Sequence, residues 1–114
     1  MPLFGRQEAI PEINPDEVQA RLVRGERVVL LDVREPAEFR ESHIAGSRLI
    51  PLDQLPLRLD DLPRDRPIVA ICRSGNRSAV ATTLLRRAGF DASNMRGGML
   101  AWHKRGFPVD RGDR

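Results

Sequence analysis

Two short apolar runs constrain the fold of this chain more than any other feature. "RVVLLDVR" (27–34) and "RPIVAIC" (66–72) are strand-length and lack apolar–polar alternation. A strand with one wet face alternates, whereas a strand buried on both faces reads as a continuous run. Two such strands need cover on both sides of their sheet, and helical patterns fall between and after them. "NPDEVQARLVRG" (14–25) predicts a helix with Asn14 as N-cap, Pro15 at the first position, a capping-box Glu17, and Val18, Leu22 and Val23 inward. "EPAEFRESHI" (35–44) predicts a short helix, "GSRLIPL" (46–52) a short strand, and "LDQLPLRLDDLP" (52–63) a helical stretch disturbed by Pro56. "NRSAVATTLLRRAG" (76–89) is the strongest helix pattern, with Val80, Leu84 and Ala88 on one face and Gly89 closing it. A last strand is expected within 90–98 and a closing helix over 99–106. Strands and helices alternate, so the expected class is α/β, a three-layer sandwich with a mainly parallel central sheet and helices on both faces.

A chain of 114 residues fits one domain. The expected organisation is a flexible N-terminal extension (1–12), a single domain (13–110) and a C-terminal tail (111–114). No run approaches the roughly 20 apolar residues of a membrane helix, and "MPLFGRQEAIPEI" has no basic region followed by an apolar stretch, so no signal peptide is expected. The expected location is cytoplasmic, a reducing setting that suits a free thiol. Net charge is +3, but the arginines are interspersed with acidic residues, as in "LDVREPAEFRE". Without a dense basic stripe or interleaved aromatics, neither nucleic acid nor membrane is an expected partner. His43 and His103 are the only histidines and Cys72 the only cysteine, so neither an internal disulfide nor a metal site is expected.

The single thiol lies in "AICRSGNRSAV" (70–80), at the carboxyl end of the second apolar run. Ligands of open α/β sheets bind at that end. The loop Arg73–Ser74–Gly75–Asn76–Arg77 leads directly into the helix, whose unpaired N–H groups favour negative charge. Gly75 permits a tight turn, and Arg73 and Arg77 add positive charge. Such surroundings favour thiolate over thiol and would stabilise an anionic group on or near the sulfur. The thiol is therefore placed for nucleophilic chemistry. The opposing reading is an inert buried cysteine, which the polar, glycine-bearing loop disfavours. No histidine adjoins Cys72 in sequence to support a Cys–His pair. Cradling a phosphoryl group and carrying a persulfide sulfur both remain open on these residues alone.

The chain resembles the single-domain rhodaneses of the rhodanese-like sulfurtransferase superfamily. The resemblance rests on "LLDVREPAEFRESHIAGS" (30–47), "IPL" (50–52), "CRSGNRS" (72–78) and "NMRGGMLAWHKRGFPV" (94–109), which together span most of residues 15–109. It implies a sulfurtransferase in which Cys72 takes a sulfane sulfur from thiosulfate or another donor, holds it as a persulfide and passes it to a thiol, to cyanide or to an acceptor protein. It implies no cofactor. The backbone amides of Arg73, Ser74, Gly75, Asn76 and Arg77 would cradle the outer sulfur, the Arg73 and Arg77 side chains would attract the donor, and Ser78 would brace the loop. Cell-cycle dual-specificity phosphatases have a loop one residue longer, ending in arginine where this chain has Ser78, so the resemblance favours sulfur over phosphate or arsenate. Asp32 is expected to anchor neighbouring loops. Arg34 is expected either to pair with a carboxylate such as Glu38 or to meet substrate at the mouth. His43 is expected to be structural, His103 a surface residue, Trp102 a packing residue, and Gly97 and Gly98 a turn near the loop. Leu49 departs from the family pattern, in which asparagine commonly precedes Ile-Pro. A relay between proteins and a non-enzymatic regulatory module remain as alternative roles.

Overall fold

The computed structural model describes residues 9–113. Five strands form one parallel sheet, β1 (Glu12–Ile13), β2 (Val29–Asp32), β3 (Arg48–Leu49), β4 (Ile68–Ile71) and β5 (Ala92–Met95), in the order β1-β5-β4-β2-β3. The helices are α1 (Pro15–Val23), α2 (Pro36–Glu41), α3 (Asn76–Arg87) and α4 (Gly98–Lys104). All residues of β2 and β4 are buried, which is why neither run alternates. Their side chains divide between two cores. Val29, Leu31, Ile68, Ala70 and Cys72 pack with Ala81 and Leu85 of α3, while Leu30, Val69 and Ile71 pack with Val18 of α1 and Met99 and Trp102 of α4. Each fully buried aliphatic side chain, such as Leu31, contributes about 1.5–3 kcal/mol. Trp102 is also buried as expected and donates its indole N–H to Pro108 O at 3.0 Å.

Several local expectations shift. Residues 52–63 form two 3-10 turns, Leu55–Leu57 and Leu59–Asp61, rather than one helix, because Pro56 and Pro63 interrupt any longer ladder. The inner face of α3 is Ser78, Ala81, Thr82 and Leu85, while Val80 is 59% exposed. Leu84 and Ala88 are partly buried and pack against the same core as expected, and Val80 alone is misplaced by counting apolar residues, because two inward positions are hydroxyls with partners, Thr82 Oγ1 donating to Ser78 O at 2.7 Å. Val23 is exposed as well. Asn14 caps α1 by accepting from the Glu17 N–H at 2.9 Å, but Glu17 does not complete a capping box, because its carboxylate pairs with Arg21 and Arg24 instead.

Of the expected N-terminal extension, residues 1–8 lie outside the described residues, and Glu12 belongs to the sheet through β1. At the other end, Asp110 bridges His43, the Gly112 N–H donates to Arg40 O at 2.8 Å, and Arg111 donates to Glu41 O. Arg114 of the expected tail also lies outside the described residues. Among the described residues, no helix is long and apolar enough to cross a membrane.

The topology fixes the neighbourhood of the thiol. All strands are parallel and Asp32 is in register with Ile71, so the carboxyl ends of β2, β4 and β5 open at one edge. The segments after those strands carry Arg34, the Cys72 loop and Gly97–Gly98.

Candidate active site

Cys72 follows β4 directly and is 1% exposed. Its Sγ accepts from the Gly75 N–H at 3.1 Å and lies 3.1 Å from Ser78 Oγ. Gly75 caps α3 with φ +106°, a left-handed conformation that glycine takes without strain. Three loop carbonyls are held from outside. The Met99 and Leu100 N–H groups at the start of α4 donate to Cys72 O (2.8 Å) and Arg73 O (3.0 Å), and Asn94 Nδ2 donates to Gly75 O at 3.1 Å. In a planar trans peptide the C=O and the following N–H point opposite ways. Drawing these carbonyls outward therefore turns the N–H groups of Arg73, Ser74 and Asn76 toward the loop interior. A Cβ on Gly98 would lie 2.5 Å from Cys72 O and from the Arg73 carbonyl group, so α4 reaches the loop this closely only with glycine there.

Burial pushes the Cys72 thiol up, but hydrogen bonds from the Ser78 hydroxyl and from the N–H groups of Ser78, Gly75 and Ser74 outweigh it and hold the thiol below its ordinary range. The Ser78 hydroxyl has only one proton. Its Oγ also lies 2.6 Å from Asn94 Oδ1, so it donates to Asn94 or to the sulfur, one at a time. The backbone amides are thus the standing support of the thiolate. Its ultraviolet absorbance should appear at a lower pH in the folded protein than in the urea-unfolded chain. A coincident or higher folded midpoint would mean that burial wins. Because the folded value is the lower one, this group's contribution to stability is complete above the unfolded thiol's titration and is lost as pH falls through the folded one.

Asp32 and Arg34 form a buried pair, 1% and 4% exposed. Arg34 Nε and Nη2 donate to the two Asp32 oxygens at 2.9 and 2.7 Å, and Nη2 also donates to Ser42 O at 2.7 Å. Arg34 therefore pairs with a carboxylate, but with Asp32 rather than Glu38, because the Asp32 charge could not be buried unpaired; it also lines the recess beside the loop. Glu38 instead pairs with Arg77, through Nη1–Oε1 at 2.7 Å and Nη2–Oε2 at 2.8 Å, and accepts from the Glu35 N–H at 3.0 Å. The Arg77 guanidinium is the main cause that holds the Glu38 carboxyl at about 2. Arg73 is exposed and has no ion pair among the described residues. A recess of about 130 Å³ beside the loop is lined by Arg73, Arg34, Glu38, Ser42, Leu100 and His103. His103 is exposed, its Nε2 3.1 Å from Ser42 Oγ.

His43 lies apart from the thiol in its contacts. It is fully buried, its ring stacks on Phe39 at 3.7 Å, and Nδ1 donates to Phe39 O at 2.8 Å. Asn94 and Glu38 join the site through contacts that no local pattern displays: Asn94 is a buried amide in β5, and the partner of Glu38 lies 39 residues away.

Residues 14–105 match the family model described as Rhodanese-like domain. A protein named Sulfurtransferase from Allochromatium vinosum is 37% identical over 101 residues, covering 88% of this chain and 94% of that protein. A rhodanese-related protein from Thermoplasma volcanium superposes with TM-score 0.83 at 34% identity, covering 88% of this chain and 97% of the other. The thiosulfate sulfurtransferase from Pseudomonas aeruginosa superposes with TM-score 0.84 at 29% identity, covering 91% of this chain and 21% of the other.

Proposed function

The chain belongs to the rhodanese-like domain family, among whose members are sulfurtransferases, and on that premise we propose that it carries a sulfane sulfur on Cys72 as a persulfide. The observation that carries this reading is the Sγ of Cys72 at the mouth of α3, facing the Gly75 N–H and the Ser78 hydroxyl. In the first half-reaction the Cys72 thiolate attacks the outer sulfur of thiosulfate. The sulfur–sulfur bond breaks, sulfite leaves with the bonding pair, and the outer sulfur stays on Cys72. The inward amides of the 73–77 loop hold the charge of that sulfur, as they held that of the thiolate. In the second, an acceptor thiolate or cyanide takes the outer sulfur and Cys72 returns as thiolate. Ser78 and Asn94 keep the loop in shape, Asp32 and Arg34 fix the adjoining segment, and His43 fixes the end of α2. The reaction requires neither metal nor organic cofactor, and a free catalytic thiol suits the cytoplasm.

The Pseudomonas aeruginosa likeness supports thiosulfate as a donor. A phosphatase or arsenate reductase would need an arginine aimed at a bound oxyanion, and Glu38 already holds Arg77. A relay to an acceptor protein is a second reading. It is favoured by an open groove of about 820 Å³ that starts at Asn76 and runs along α3 past exposed Val80 and partly buried Leu84.

The test is the intact mass of the protein after exposure to thiosulfate and desalting, and again after cyanide. The expected result is a gain of one sulfur atom that cyanide removes. No gain with thiosulfate or with a small-molecule persulfide would overturn the reading. Faster discharge by a protein thiol than by cyanide would favour the relay.

A further inference from the structure

We infer that Glu38 is a donor-selecting residue that, by holding Arg77 through both carboxylate oxygens, withholds this cation from the sulfur site and favours singly charged persulfide donors over dianionic ones. The inference rests on the sulfurtransferase reading and names the donor class of the same site.

Arg77 is the last residue of the loop and is half-buried. It precedes Ser78, whose hydroxyl lies 3.1 Å from Cys72 Sγ, and its partner Glu38 lines the recess beside the loop together with Arg73. A free guanidinium in that position would offer two parallel N–H donors to an oxyanion over the thiol. Both of its terminal nitrogens are instead engaged by Glu38 at 2.7 and 2.8 Å. The carboxylate is itself fixed by the Glu35 N–H, so the pair is set from both ends.

The remaining charges near the loop follow the same pattern. Asp32 and Arg34 neutralise each other in the interior. That leaves Arg73, exposed in the recess beside the loop and without an ion pair among the described residues, to be set against Glu41 of the same recess and the charge of the thiolate. A dianion such as thiosulfate then meets a site with no net positive charge beyond its amides. A persulfide R–S–S⁻ brings a single charge, located on the sulfur that the amides receive. In that reaction the Cys72 thiolate attacks the outer sulfur, the donor's S–S bond breaks, R–S⁻ leaves with the electron pair, and Cys72 keeps the outer sulfur as its persulfide.

Glu38→Gln removes the charge and one oxygen of the clamp with little change in shape. Two readouts test the effect. The first is protection of Cys72 from iodoacetamide by sodium sulfate, an inert dianion, which needs no sulfur transfer. The second is the ratio of kcat/KM for thiosulfate to kcat/KM for 2-hydroxyethyl persulfide. The inference expects sulfate to protect the variant at about tenfold lower concentration than wild type, and the ratio to rise about tenfold through a lower KM for thiosulfate. Glu38→Ala should move both readouts in the same direction, and melting curves confirm that the variants fold. Unchanged sulfate protection, or an equal fall in kcat for both donors, would overturn the inference and leave Glu38 as a brace for the loop. If neither donor loads sulfur onto the wild-type protein, the sulfurtransferase reading fails, and sulfate protection still decides whether Glu38 withholds Arg77.

Discussion

Arg34→Ala should melt about 15 °C or more below the wild-type protein. Asp32 is 1% exposed, and the Arg34 guanidinium holds both of its oxygens. Removing one partner of a buried pair leaves an uncompensated charge, which costs about 3–5 kcal/mol. In a domain of about 100 residues each kcal/mol lowers the melting temperature by roughly 4–8 °C. The substitution also orphans Ser42 O, which accepts from Arg34 Nη2 at 2.7 Å. The double variant Asp32→Leu with Arg34→Met removes both charges and keeps much of the volume, so it should recover most of the loss. Calorimetry on the three proteins decides the matter. A single variant melting within about 3 °C of wild type would show that the Asp32 charge is not buried.

Cys72→Ser should abolish sulfur loading completely while leaving the fold standing. A hydroxyl is not deprotonated by four hydrogen-bond donors at neutral pH, and the nucleophile of the proposed reaction is a thiolate. Cys72 is the only cysteine, so no second thiol can substitute. The side chain is one of many in its core cluster and is replaced by one of similar shape, so the melting temperature should change by only a few degrees. The intact mass of the variant after donor treatment is the measurement. A cyanide-removable sulfur on Cys72→Ser would place the carrier on another group and end the proposed mechanism. Full biological function of the variant would instead favour a regulatory module.

The parts of this molecule that were legible in sequence are those set by neighbours along the chain. The runs ending at Asp32 and Cys72 announce strands buried on both faces, and glycine followed by a helix start announces the thiol's setting. The rest depends on partners far apart in sequence. β1 is two residues long, too short to show any period, and exists because β5 lies beside it. The inner face of α3 centres on Ala81, Thr82 and Leu85 with Val80 outside it, a rotation that an apolar count does not show because Ser78 and Thr82 fill inward positions through hydrogen bonds. The assignment of Arg34 and Glu38 turned on which cation reaches which carboxylate after folding. Asp32, two residues from Arg34, took it, and Arg77 took Glu38.

The close approach of Gly98 to the loop has a consequence for the order of synthesis. The N–H groups that hold Cys72 O and Arg73 O belong to Met99 and Leu100, made more than twenty residues after the thiol. A chain emerging from the ribosome therefore carries Cys72 with those carbonyls unheld, and with them the orientation of the loop amides unset. The full set of inward amides is therefore in place only once α4 has been made and docked against the loop.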